Sequence, residues 1–423
     1  MITVLGTNII SSLGFTTEEN YAAVKSGISG VTHYSAGTFD LPEAFMASLV
    51  DKGRLNDEFS AAFCRDAARH VSTEELTDLE KATIVSVFSA NKEAHIDLSS
   101  ERTVFIVSTT KGNVDLLSHL NSPRGDFGNS PLRGAGGAFL WHTAELIAKF
   151  FKNPNTPIVV SNACISGAAA QIVAMRELQT GNYDYAVVAG VDFLSKFIIS
   201  GFQSFKALSP EPCRPFDKDR CGLNLGEAAA AMIFGKCDMQ QSDMRYATEE
   251  IGNRKSEIVL LSGAIRNDAT HISAPSRTGE GSFRALKYVL DTKLLDKKNP
   301  SNSLMSNSLT SKIAFINAHG TATSYNDAME TVAITRAGLA DVPVNSLKAY
   351  FGHTLGAAGV VESIVSMCAL KENLVLKSAN FVEQDFENQI NISQENHGSD
   401  KKYFVKLMSG FGGVNAALLF GRN

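Results

Sequence analysis

Apolar positions along the chain fall into short, nearly continuous runs. They read "MITVLGTNI", "RTVFIVSTT", "PIVVSNA", "YAVVAGVDF", "AAAMIFG", "IVLLSGAI", "KIAFINAH", "PVNSLKAY" and "FVKLMSGFG". A strand with one wet face alternates apolar and polar residues, so runs this uniformly apolar predict strands covered on both faces. Helix-like stretches separate many of them. One is "GAAAQIVAMRELQTG", whose last glycine is a stop signal. Strands alternating with helices predict an α/β architecture.

Two of the helical stretches echo each other. "ISGAAAQIVAMRELQTG" follows a strand and a cysteine, and "LGAAGVVESIVSMCALKEN" follows "PVNSLKAYFGH". Each opens with glycine and alanine and stays apolar on nearly every face. A helix apolar all round is buried, and small residues let two such helices approach closely. The pattern predicts two similar halves, 1–245 and 246–423, with one buried Ala/Gly-rich helix from each at the centre. Two unrelated core helices are the alternative. "DTKLLDKKNPSNSLMSNSLTSK" and "VEQDFENQINISQENHGSDKKY" lack apolar periodicity and read as loops, while "CDMQQSDMRYATEEIGNRKSE" reads as the junction between halves.

Composition narrows the classes. A chain of 423 residues with 44% hydrophobic and 20% charged residues has the make-up of an ordinary core-forming protein. A net charge of −5 excludes a general nucleic-acid binder, which needs a basic surface. No apolar run approaches the roughly 18 residues of a spanning helix, so no membrane span is expected. The N-terminus lacks a basic segment followed by a long apolar one and reads as a first strand. Six scattered cysteines without a CxxC point to reduced thiols in a cytoplasmic protein.

The candidate chemistry sits where strands end. Cys164 lies on a strand-to-helix elbow, at a helix N-terminus whose dipole and free N–H groups are expected to lower the thiol pKa. That placement suits an activated nucleophile. A buried structural cysteine is the alternative. His319 in "FINAHGTATSYND" and His353 in "KAYFGHTLGAAG" occupy two further strand ends. His33, His70, His95, His119, His142, His271 and His397 lack such a context and read as surface or structural. In "LMSGFGGVNAALLF" three glycines surround Phe411, allowing close backbone approach to a ligand or simply a tight turn. Phe193, Phe197, Phe202 and Phe205 are candidates to line or cap a pocket, or ordinary core aromatics.

The set "NACISG", "NAHGTATSYND", "KAYFGHTLGAAG" and "SGFGGVN", in this order, resembles the β-ketoacyl-ACP synthases, and "ALSPEPCRPFDKDRCGLNLGEAAAAMIFG" extends the likeness. The resemblance runs from "VLGTNIISSLG" to "NAALLFG". It implies the thiolase fold, an α/β fold of two similar halves in five layers, α-β-α-β-α. It implies Cys164 as the acyl-accepting nucleophile, His319 and His353 as the rest of a Cys-His-His triad, and Lys348, Asp327 and Glu330 as supporting charges. By the same likeness Thr321 and Thr323 bind the phosphopantetheine arm, Phe411 gates the site, Phe202 borders the substrate, and the N–H groups of Cys164 and Phe411 hold an oxyanion. No metal and no cofactor are implied.

The implied reaction is a decarboxylative Claisen condensation of malonyl-ACP with an acyl group on Cys164, extending a fatty-acid, polyketide or polyene chain. The implied partners are an acyl carrier protein and a second subunit, either an identical copy or a related ketosynthase-like chain. Lys206, Arg214, Lys218 and Arg220 form a candidate docking patch, with ion pairs to Asp217 and Asp219 as the bland alternative. Three departures from the family pattern stand out: Ala349 where serine is usual, "GEAAAA" for "GEGAG", and "STTKGNVDLL" in place of a glycine-rich turn. A non-catalytic chain-length-factor subunit is the rival reading, but such subunits generally lack the nucleophile. A degradative thiolase would carry a second cysteine where "GFGG" stands.

Overall fold

The computed structural model describes residues 2–63, 76–121, 135–236, 258–291 and 309–422. Ten strands form one continuous sheet: β1 (Ile2–Ser11), β2 (Thr103–Ser108), β3 (Ile158–Val160), β4 (Tyr185–Asp192), β5 (Ala228–Lys236), β6 (Ile258–Asn267), β7 (Ile313–Asn317), β8 (Val344–Asn345), β9 (Tyr403–Gly410) and β10 (Val414–Arg422). Their spatial order is β8-β7-β9-β10-β6-β1-β5-β4-β2-β3.

That order contains the same five-strand arrangement twice. In the first half β3, β2 and β4 run parallel, then β5 and β1 follow antiparallel. In the second half β8, β7 and β9 run parallel, then β10 and β6 follow antiparallel. The halves join through the short pairing Ile2↔Leu260 and Thr3↔Val259.

The helices repeat as well. Apart from the helices Thr17–Lys25 and Lys52–Phe63 and the single turn Lys348–Phe351, those described are, in chain order, α1 (Asp78–Ala94), α2 (Leu140–Phe150), α3 (Ser166–Thr180), α4 (Lys196–Ser204), α5 (Glu280–Val289), α6 (Ser324–Arg336) and α7 (Ala358–Lys371). α1 and α2 cover the outer face of the first half, where Ile84, Val87 and Ile147 pack with Phe105 and Val187. α5 and α6 cover the outer face of the second, where Leu286 and Ile334 pack with Val405 and Leu419. Between the sheets lie α3 and α7, in a core that joins Ile172 and Val361 to Val188 and Phe404. The layers are therefore α-β-α-β-α.

Both central helices are buried along nearly their whole length, which is why neither shows an apolar stripe. They cross backbone to backbone. A Cβ on Gly359 would lie 2.3 Å from the amide nitrogen of Ala168, so only glycine fits there. The crossing is stitched by Gln171, whose Nε2 donates to the carbonyls of Gly167 at 3.0 Å and Gly359 at 2.9 Å. Gly181 closes α3 in the left-handed conformation, as its position past the helix suggested.

Some expectations need correction. "PVNSLKAY" is strand only at Val344–Asn345, and Lys348–Phe351 forms a single helical turn. The stretch 382–402 is irregular apart from the short strand His397–Gly398, and Tyr403 already begins β9. The proposed junction, with the 245/246 boundary, lies outside the described residues, as does most of the polar stretch 291–312.

Candidate active site

Cys164 stands in the turn from β3 into α3. Ala163, just before it, has φ of +47°, a conformation costing a non-glycine residue about 1 kcal/mol. Ser166 holds this turn: its Oγ donates to the Ala163 carbonyl at 2.6 Å and accepts from the Asn162 N–H at 2.8 Å. The elbow was legible, but its effect on the thiol was not. Cys164 is only 8% exposed, and burial pushes its pKa up to about 11. Lys348 and the backbone N–H groups of Phe411 and Cys164 itself pull downward without overcoming burial. The resting site therefore holds a thiol.

This has a measurable consequence. Alkylating reagents react with the thiolate, so the rate of Cys164 labelling by iodoacetamide is expected to rise about tenfold per pH unit from 7 to 10, because the group titrates near 11. A plateau reached below pH 8 would mean an activated thiolate and would contradict the burial argument.

Two histidines close on the sulfur. The ligating atoms of Cys164, His319 and His353 all lie within 4.8 Å of one another. The two rings meet edge to face, with centroids 5.1 Å apart. His319 follows the end of β7, as expected, whereas His353 follows the single helical turn Lys348–Phe351, because β8 stops at Asn345. The His353 backbone is held by Asn224, whose carbonyl accepts its N–H at 2.7 Å, and by Gly226, whose N–H donates to its carbonyl at 3.0 Å. Its Nδ1 accepts from the Leu355 N–H at 3.3 Å. That leaves the proton on Nε2, which is buried and has no hydrogen-bond partner. His319 presents Nδ1 to the Lys348 ammonium at 3.5 Å. Burial first, then nearby lysines, hold both imidazoles well below the usual histidine pKa, so both are neutral.

Two buried carboxylates shape the loop that carries His319. Glu330 accepts the N–H groups of His319 and Gly320, each at 2.7 Å. Asp327 accepts those of Thr321 at 2.9 Å, Ala322 at 3.1 Å and Phe216 at 2.7 Å. Burial, then the neighbouring Asp327 charge, raise Glu330 to about 7. Lys348 is fully buried, not a solvated surface charge, and its Nζ pairs with Glu362. In the first half the buried Asp192 carboxylate accepts from Thr109 Oγ1 at 2.8 Å, Lys111 Nζ at 3.0 Å and the Gly356 N–H at 2.7 Å. The last bond ties the entry of α7, and with it the His353 segment, to the first half.

The sulfur and both rings line one cavity of about 630 Å³. Thr321 and Thr323 line it too, their hydroxyls 2.8 Å apart. Phe411 sits in the tight hairpin turn between β9 and β10, where Gly412 and Gly413 take φ of +88° and +75°, and it lines the cavity. Its ring stacks on Phe202 at 6.1 Å and meets Phe205 edge-on at 5.8 Å.

The other aromatic candidates do not reach the cavity: Phe193 is packed in the outer core of the first half, and Phe197 is 68% exposed. Of the basic patch, Lys206 lies on the cavity wall. Lys218 and Arg220 are occupied by Glu383 and Asp385, each at 2.6 Å, rather than by Asp217 and Asp219. Asp217 instead accepts backbone N–H groups of Val382 and Glu383. Sequence reasoning missed His271, Arg277 and Cys221 on the cavity wall, and Asp192, Glu362 and Lys406 beneath it. For the last two a signal existed: a lone glutamate in an apolar helix and a lone lysine in an apolar strand.

Among the described residues, Cys164, His319 and His353 are the single cluster of three side chains able to share a metal ion. The Lys348 ammonium 3.5 Å from His319 Nδ1 opposes a dication there. The same cation favours negative charge developing at the site.

Residues 1–236 match the beta-ketoacyl synthase N-terminal domain, and residues 258–382 match the beta-ketoacyl synthase C-terminal domain. Over 279 residues the chain is 31% identical to 3-oxoacyl-[acyl-carrier-protein] synthase 2 of Staphylococcus aureus, covering 64% of this chain and 62% of that enzyme. It is 24% identical over 99% of its length to a mitochondrial Schizosaccharomyces pombe protein assigned by name to the 3-oxoacyl-[acyl-carrier-protein] synthases, covering 98% of it. Its fold matches the ishigamide ketosynthase/chain length factor with a TM-score of 0.81 at 23% identity, over 100% of this chain and 99% of that one. It also matches the ketosynthase ApeO in complex with its chain length factor ApeC from Xenorhabdus doucetiae, with a TM-score of 0.77 at 22% identity, over 100% and 98% of the two chains. With both domains matched in order and the five-layered architecture in place, the chain belongs to the beta-ketoacyl synthase family and has the thiolase fold.

Proposed function

We propose that this chain is a carbon–carbon bond-forming acyltransferase that extends an acyl group held on Cys164 with a malonyl unit delivered by an acyl carrier protein. The observation that carries this reading is the convergence of one thiol and two neutral imidazoles in a single cavity, one of them with an unpartnered Nε2 proton.

In the first half-reaction Cys164 attacks the carrier thioester. The S–acyl bond to the carrier breaks, the S–acyl bond to Cys164 forms, and the thiol proton ends on the departing carrier thiol. The backbone N–H groups of Phe411 and Cys164, which favour negative charge at the sulfur, are proposed to hold the transient oxyanion. In the second half-reaction the malonyl thioester loses carbon dioxide. The imidazole N–H groups stabilise the enolate oxygen, a charge that appears only along the reaction path. The enolate carbon attacks the acyl-Cys164 carbonyl. The sulfur leaves and takes up a proton, giving a 3-oxoacyl carrier and a free thiol. No external cofactor is required by this balance.

Lys348 and Glu330 act through His319: Lys348 donates to its ring and Glu330 anchors its backbone. Thr321, Thr323, Phe202 and Phe411 line the cavity; the threonines are proposed to hold the phosphopantetheine arm and the two rings to border the acyl group. The thiols fit a reducing compartment such as the cytoplasm.

The partner subunit is proposed to dock on β3. Its residues Ile158, Val159 and Val160 are only half-buried at the open edge of the sheet, although all three are apolar. Nearby on α2, Trp141 is 54% exposed and stacks on Phe139. An apolar edge strand left open invites pairing with another chain. Solved relatives pair a ketosynthase with a chain length factor, and here the intact triad favours the catalytic member of any such pair. Native mass spectrometry should give twice the monomer mass for this chain alone, or a one-to-one complex with a related chain. A stable monomer under all conditions would remove this part of the reading.

Activity is tested by mixing the protein with acyl-carrier and malonyl-carrier thioesters and assaying carbon dioxide and 3-oxoacyl carrier together. Equal amounts of the two products support condensation. Carbon dioxide release without extension would support a decarboxylating partner role instead.

A further inference from the structure

Strand β9 carries a lysine where its neighbours are apolar. Phe404 and Met408 on the same face belong to the central core, and Val405 and Leu407 on the other face to the outer one. Lys406 lies between them, fully buried. Its Nζ contacts Glu362 Oε2 at 2.6 Å and donates to the carbonyls of Ala318 at 3.1 Å and Leu407 at 2.9 Å, with Asn317 at 3.4 Å.

The Glu362 carboxylate already has a cation, because its other oxygen is paired with Lys348. Two buried ammonium groups therefore share one carboxylate. Folding supplies no reason for the second: an apolar side chain of similar volume is often at least as stable as a buried ion pair, and Glu362 would keep Lys348 without it. The contacts of Lys406 instead run toward the site. Asn317 and Ala318 are the two residues before His319, and Lys348 faces His319 Nδ1.

We propose that Lys406 is a positioning residue of the Cys-His-His site: it divides Glu362 between two lysines and pins the Asn317–Ala318 backbone, so that Lys348 remains a donor to His319 and His319 meets the reacting atoms through its other ring nitrogen. The inference rests on the condensing reading for its kinetic part only.

Electrostatics act in the same direction. Lys406, Lys348 and His353 hold His319 low, and Lys406, Lys348 and Lys111 hold His353 low, in both cases after burial. Glu362 from α7 and Glu330 from α6 are the anions facing Lys406, which burial lowers to about 8. Without the second cation both imidazoles should protonate more readily and lose their role as neutral donors.

The test uses two full-length variants, Lys406→Met, which removes charge and donors, and Lys406→Gln, which removes charge and keeps a donor. Histidine ring nitrogens are followed by NMR as pH falls, alongside thermal melting. In the wild type both rings should stay neutral well below the ordinary value of about 6.5. In both variants at least one ring should titrate about one pH unit higher or more. Malonyl-carrier decarboxylation should fall about tenfold in kcat with KM within about twofold, and its acid limb should shift upward with the imidazoles. Ring titrations and acid limb that superimpose on the wild type, in either folded variant, would overturn the proposal and leave Lys406 a structural residue. Shifted rings in a protein whose wild type never decarboxylates would uphold the positioning role and remove the condensing reading.

Discussion

Replacing Cys164 with alanine is expected to abolish covalent capture of an acyl group and to lower condensation by about 10³-fold or more, as loss of a nucleophile does elsewhere. The same variant should still release carbon dioxide from a malonyl carrier, because His319 and His353 keep their places without the sulfur. Neither ring depends on Sγ for a hydrogen bond: His353 is oriented by Leu355 and Asn224, and His319 by Lys348 and Glu330. The variant should also fold. Alanine is only slightly smaller than cysteine, and the Ser166 bonds that hold the elbow do not involve the thiol. Acyl loading and malonyl decarboxylation, measured separately on one preparation, separate these roles. Persistent acylation of the alanine variant would move the nucleophile elsewhere, with Cys221 on the cavity wall the first place to look.

The second large effect is expected from His353→Ala. This substitution deletes the buried Nε2–H that has no partner in the resting protein. A buried donor without a protein partner, on a ring that lines the cavity, suits a charge that develops during the reaction. Loss of one such donor typically costs about 10²–10³-fold in rate, and the loss should fall on decarboxylation and condensation. Acyl loading should stay within about tenfold, since the Phe411 and Cys164 N–H groups remain. A His353→Ala variant that condenses at the normal rate would remove this residue from the chemistry.

The buried strands, the two central helices and the strand-end placement of Cys164 and His319 were legible because each rests on a local signal. Apolar runs mark buried strands, glycines mark close helix crossings, and strand ends are where an α/β sheet opens to a ligand. The repeated five-strand order was not legible, since pairing is decided by packing between segments far apart in sequence. The thiol was misjudged for a related reason. A helix N-terminus is a local feature that lowers a pKa, while burial is a property of the assembled site, and here burial outweighs it. Lys218 and Arg220 were matched to acids beside them in sequence, but their partners Glu383 and Asp385 come from a loop about 165 residues away. Glu362 and Lys406 were hidden because a single charge within an apolar run reads as an interruption. Only the fold shows that the two meet each other and Lys348 under the loop that carries His319.

The most direct measurement is the intact mass of the protein after incubation with a panel of acyl-carrier thioesters, beside Cys164→Ala, followed by a chase with malonyl carrier. The expected result is a mass gain equal to one acyl group on the wild type alone, cleared by the chase as a longer 3-oxoacyl chain appears on the carrier. The acyl group that loads best would identify the substrate class. A wild type that gains no mass from any acyl carrier, with a candidate partner chain present as well as absent, would contradict the acyl-enzyme account.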